Sequence, residues 1–103
     1  MSQQELQEKR PWVIITVLKE DTKPNDLQRI SPQIQNLVDE WQTQGKMIWS
    51  GAFNDNATSM TVFEGTKQEA NEFYSKYDRI CSGILQYSMY QWDAMPILSV
   101  LSK

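Results

Sequence analysis

Apolar residues along this chain fall into blocks whose spacing alternates between the period of a strand and the period of a helix. Segments 12–19, 46–53, 58–64 and 84–92 are rich in β-branched and aromatic side chains and read as strands. In the first of these, Trp12, Ile14, Thr16 and Leu18 share one face and Val13, Ile15 and Val17 the other, because successive side chains alternate. Both faces are apolar, so both call for cover. Between the first two strands Ile34, Leu37, Val38 and Trp41 recur at i, i+3, i+4 and i+7, one face of a helix. Ser31 and Pro32 suit its N-cap and first position, with an earlier start near Asp26 and a kink or break before Pro32 as the alternative. Gly45 suits its C-terminal stop.

Asn54 to Ala57 fits a tight hairpin turn, which makes the second and third strands antiparallel neighbours. Thr66-Lys-Gln-Glu69 has the form of a capping box, and Ala70, Phe73, Tyr74 and Tyr77 follow as the buried stripe of a second helix. Gly83 turns the chain into the last strand, and Pro96 marks where regular pairing should end. The expected order is therefore βαββαβ. Residues 1–11 are polar and without periodicity and read as a flexible extension; residues 12–103 form a single α+β domain, since 103 residues cannot fill a second core.

Composition narrows the range of partners. Ten Lys and Arg are dispersed against thirteen Asp and Glu, for a net charge of −3, which leaves no basic stripe for phosphates and makes nucleic acid an unexpected partner. No segment has the length and apolarity of a secretory leader or a membrane span. The lone Cys81 has no internal disulfide partner, and a cytoplasmic location is the simplest expectation. There is no histidine, no phosphate-binding glycine loop and no metal-ligand cluster, so neither a cofactor nor a metal is expected. Four tryptophans and four tyrosines are many for this length. Two helices cover only one face of a four-stranded sheet, so the second face is expected to pair with an identical subunit, the alternative being scattered surface aromatics on a monomer.

Several short signatures carry a family likeness: Gln44-Gly45-Lys46 ending the first helix, Trp49-Ser50-Gly51, Val62-Phe63-Glu64 leading into the capped helix, and Cys81-Ser82-Gly83-Ile84 opening the last strand. With the order of elements, they resemble the dimeric α+β barrel proteins, within them the YCII-like family and more loosely the muconolactone isomerase-like proteins. The resemblance implies a ferredoxin-like sheet that forms homodimers face to face, with a small-molecule pocket beside each sheet. It also implies isomerase or lyase-type proton transfer. The departure is specific. The family's helix-one histidine falls on Ile34, and its aspartate near the end of helix two falls on Tyr77, one residue from Asp78.

Asp78 is then the candidate catalytic carboxylate, a general base if apolar walls raise its pKa, or else an ordinary partner of Arg79 or solvent. Cys81, without a histidine to activate it, reads as a buried small residue rather than a nucleophile. Trp49, Tyr90 and Trp92 are candidates to line a ligand pocket or a dimer core, while Tyr87 falls on the opposite strand face and is expected under the helices. Thr16, Ser50, Ser59 and Thr61 could add hydroxyls to a ligand site or bond ordinary backbone. The functional expectation is a small apolar or aromatic ligand; the alternative is a non-catalytic module that docks another protein through the aromatic face and the N-terminal arm.

Overall fold

The computed structural model describes residues 8–92, so the expectations placed on residues 1–7 and on Pro96 lie outside the described residues. Six elements follow one another: β1 (Arg10–Leu18), α1 (Pro24–Thr43), β2 (Met47–Ala52), β3 (Thr58–Gly65), α2 (Lys67–Cys81) and β4 (Leu85–Gln91). The strands form one antiparallel sheet in the order β2-β3-β1-β4, with β1 and β3 in the centre. This is the ferredoxin-like βαββαβ arrangement. Both helices lie on the same face, α1 against β2 and α2 against β3 and β4. Arg10 and Pro11 pair with Gly65 and Glu64, so the first strand begins inside the segment expected to be a flexible extension.

The first helix corrects the expected N-cap. It starts at Pro24, not at Ser31, and runs unbroken through Pro32. Pro24 supplies a fixed φ at the helix start, where its missing N–H costs nothing. The apolar stripe also begins earlier than expected, with half-buried Leu27 and fully buried Ile30 preceding Ile34, Leu37 and Trp41. Pro32 cannot donate to the turn behind it. Around it, Ser31 Oγ donates to Leu27 O at 2.7 Å and Gln33 Nε2 donates to Arg29 O at 3.3 Å, adding side-chain hydrogen bonds where the ladder is weakest. At the other end Gly45 N–H donates to Gln42 O and Lys46 N–H to Trp41 O, both at 2.9 Å. This is a Schellman closure, and it requires the positive φ of 75° that Gly45 adopts.

The second helix keeps the expected capping box. Glu69 N–H donates to Thr66 Oγ1 at 3.1 Å and Thr66 N–H to Glu69 Oε1 at 2.9 Å. Glu69 Oε2 also meets Lys46 Nζ at 2.8 Å, and the Lys46 ammonium, with the Thr66 N–H, holds the Glu69 carboxyl below its usual range. α2 ends in a type II turn: Ile84 N–H donates to Cys81 O at 2.9 Å, with Gly83 at φ 79°. In the β2–β3 hairpin, Asp55 Oδ1 accepts from the N–H groups of Ala57 and Thr58, both at 2.9 Å, and Asn56 takes the left-handed φ of 58°.

The densest packing joins one half of the sheet to both helices. Trp41 of α1 meets Phe73 of α2 edge-on at 4.8 Å and Phe63 of β3 at 5.6 Å, while Phe63 and Phe73 lie 4.7 Å apart. Phe63 and Phe73 are wholly buried, and Trp12 of β1 closes the cluster's edge by donating from Nε1 to Gly65 O at 3.0 Å.

Two stability tests follow from this layer. Phe73→Ala removes the ring that links both helices to the sheet and should destabilise the fold by about 3–5 kcal/mol, read as a lower midpoint in urea with an unchanged slope. Thr66→Ala loses the reciprocal cap and should cost about 1 kcal/mol on the same scale, with Thr66→Ser largely restoring it. An alanine variant indistinguishable from the parent would show that the box contributes nothing.

Candidate functional site

The helix-facing side of the sheet is not filled evenly. Toward the β2–β3 hairpin its positions carry Ser50, Ala52, Ser59 and Thr61, which are too small to reach α1. A cavity of about 600 Å³ remains between these strands and the helix. Leu27, Ile34 and Val38 of α1 form an apolar roof, and Gln35 and Gln42 stand at its margin. The floor is different in character. Thr16 pairs with Ser59 across β1 and β3, and Ser50 pairs with Thr61 across β2 and β3, so four hydroxyl side chains cluster on three adjacent strands. Among the described residues no Asp, Glu, Lys or Arg lines the space.

Tyr77 of α2 closes the inner end. Its ring is buried, and its hydroxyl lies 2.6 Å from Thr16 Oγ1, also buried. Burial pushes the Tyr77 phenol up to about 12, with the hydrogen bond from Thr16 opposing the shift and the neighbouring Cys81 adding to it. Burial likewise pushes the Cys81 thiol up to about 11. Both groups therefore stay protonated in neutral solution. Among the described residues no buried side-chain nitrogen or oxygen is left without a hydrogen-bond partner. No group of three potential metal ligands occurs among them, and no helix there is long and apolar enough to cross a membrane.

The residues singled out from the sequence divide between three places. Thr16, Ser50 and Thr61, with Ser59, line the cavity. Trp49, Tyr90 and Trp92 do not; they stand on the opposite face of the sheet. There Trp49, Val62, Val13 and Tyr90 make one row across all four strands, with the two valines buried and the flanking rings half exposed. Trp92 continues this face beside Pro11, whereas Phe53, 48 % exposed, lines the cavity. Asp78 lies exposed on α2 and does not line the cavity; its carboxylate accepts a hydrogen bond from the Tyr87 hydroxyl, and burial, followed by that bond, raises the Tyr87 pKa. Tyr87 packs edge-on against Tyr74 and Tyr77 beneath α2, and Cys81 is fully buried.

Tyr77 is the cavity residue that pattern reading assigned only to the helix core. The available signal was the coincidence of a buried-stripe tyrosine with small hydroxyl residues at alternating strand positions, since a phenol in a core needs a polar partner. Ile34 occupies the position expected for a histidine and contributes an aliphatic wall instead.

No family model and no curated protein sequence matches the chain. Solved structures do match it in fold. An antibiotic biosynthesis monooxygenase superposes with a TM-score of 0.54 at 16% identity, covering 84% of this chain and 99% of that one. SnoaB, a cofactor-independent oxygenase from Streptomyces nogalater, gives 0.52 at 7% identity over 86% and 95% of the two chains. The 30S ribosomal protein S6 from Thermotoga maritima gives 0.54 at 10% identity over 82% and 89%. Proteins of such different names share the architecture, so the likeness establishes the ferredoxin-like α+β fold and leaves function to the site.

Proposed function

We propose that this protein is a homodimer of the dimeric α+β barrel type, YCII-like in its signatures, that binds a small, largely apolar or aromatic molecule in the cavity beneath α1. The observation that supports ligand binding most directly is that cavity: about 600 Å³ with an aliphatic roof and a hydroxyl floor, within the size range of small-molecule sites. Thr16, Ser50 and Thr61 are its polar contacts. The open sheet face supports the second half of the reading. Trp49, Tyr90 and Trp92 expose 47 %, 58 % and 42 % of their surface around the buried Val13 and Val62, an apolar patch suited to a self-complementary partner.

The proton-transfer role expected of Asp78 is not part of this proposal. Its carboxylate is engaged by Tyr87 outside the cavity, and Ile34 stands in the cavity wall at the position where the YCII-like resemblance implies a histidine.

Native mass spectrometry of protein purified without added ligand tests both halves together. The expected spectrum is a dimer carrying a small additional mass that is lost on unfolding. A bare monomer would overturn the proposal and favour docking to a different protein. Trp92→Asp should shift the sedimentation coefficient from dimer to monomer with the helical circular dichroism retained, because association would bury an unpaired carboxylate. An unchanged sedimentation profile would remove the open face as the interface.

A further inference from the structure

The cavity's lining carries chemical information about its occupant. More than a fifth of this chain is charged, yet among the described residues every side chain that lines the space is uncharged, including those at its margin. An ionised ligand would surrender its hydration there with no counter-charge to replace it, and such a loss is not offset by hydroxyl groups alone. The roof of Leu27, Ile34 and Val38 offers only apolar contact, so the polar part of the occupant must face the sheet.

At the inner end two buried hydroxyls meet. Thr16 Oγ1 and the Tyr77 hydroxyl are in hydrogen-bond contact, and the Cys81 thiol adjoins the same phenol. The contact between the two hydroxyls uses one of their two hydrogens, and the other is left for the thiol sulfur or for an acceptor brought by a ligand. Tyr77 is 5 % exposed and held between Phe73 and Tyr87, so the hydroxyl pair is fixed in place before any ligand arrives.

We propose that this cavity takes an uncharged molecule with an apolar body and a carbonyl-type oxygen, and that Tyr77, paired with Thr16, is the residue that selects that oxygen. The inference rests on the ligand-binding reading above and names its substrate class. The phenol, pushed up to about 12 chiefly by burial, remains a donor across the physiological range. A neutral carbonyl placed at the Tyr77–Thr16 pair would have its ring system beneath Ile34 and Val38, with Ser59 and Thr61 along its polar edge.

Three probes of one size separate the terms: 2-acetylnaphthalene, 2-naphthoate and 2-ethylnaphthalene, titrated by calorimetry at neutral pH. The ketone should bind at least about tenfold more tightly than the carboxylate, which cannot enter without losing hydration. Tyr77→Phe should weaken the ketone by about fivefold while leaving 2-ethylnaphthalene within about twofold, a split that mere loosening of the core would not produce. Thr16→Val serves as the second variant, deleting the partner hydroxyl with little change in volume, and should weaken the ketone selectively as well. Val38→Trp, which fills the cavity from the roof, should abolish binding of both neutral probes. Equal affinity for ketone and carboxylate, or a ketone affinity unmoved in both hydroxyl variants, would overturn this inference alone. Failure of all three probes to bind, together with a bare native mass spectrum, would overturn the ligand-binding reading and this inference with it.

Discussion

The placement of β1 is the constraint on which the rest of this structure depends. It is hydrogen-bonded along nearly its whole length to β3 on one side and β4 on the other, so its register fixes which residues of three strands share each face. Hydrophobicity does not decide that register, because β1 is apolar on both faces and a one-residue slip would exchange Ile14 for Ile15 with little loss of apolar burial. Two polar contacts do decide it. The Trp12 indole reaches Gly65 O, and Thr16 Oγ1 reaches the Tyr77 hydroxyl, and a slip would break both and leave buried polar atoms unpaired. The same hydroxyl that sets the register also forms the inner wall of the cavity.

From that register the helical layer divides into two halves of different density. One half is filled by Trp41, Phe63 and Phe73, whose edge-to-face contacts join both helices to the centre of the sheet. The other half, nearer the hairpin, presents small side chains to α1 and stays open. A void in a close-packed protein forfeits dispersion energy along its walls, so it is tolerated where the rest of the core supplies enough stability. Lys46 strengthens the filled half from its edge: it stacks 5.0 Å from the Trp41 ring centroid and pairs with Glu69, linking the Schellman end of α1 to the capped start of α2. The dense half thereby holds α1 rigid above the open one.

The order of elements was legible in the sequence because each signal was local and chemically specific. The Thr66–Glu69 box, the glycine stops and the alternation in β1 each depend on a few neighbouring residues. The start of α1 was harder to read, since Pro32 looks like a helix beginning. Only the upstream pair Leu27 and Ile30, in phase with Ile34, marks it as an interior residue. The bulge at Ile48 carried no evident local signature; by inserting one residue it places Met47 under the helices and Trp49 on the open face. The aromatic residues were legible as too many for one face, yet which of them shared a space with the serines and threonines depended on cross-strand register, a long-range property. Strand alternation already separated Tyr90 and Trp92 from Tyr87, and the structure extends that division to the hydroxyl residues.

Electrostatics gives the cavity its chemical character. Tyr77 stands at its inner end with Cys81 buried behind it, and burial keeps both protonated in neutral solution. Asp78, the carboxylate one residue away in sequence, projects elsewhere and is engaged by Tyr87. Tyr77 and Cys81 can donate to a neutral acceptor, and neither of them is a ready base for taking a proton. Among the described residues no charged side chain is buried, and Lys76 and Glu40 bridge the two helices at the surface. Alternation of side chains therefore separates two surfaces: Thr16, Ser50, Ser59 and Thr61 turn toward the helices and floor the cavity, and Trp49, Tyr90 and Trp92 turn away, where their apolar area suits a second sheet.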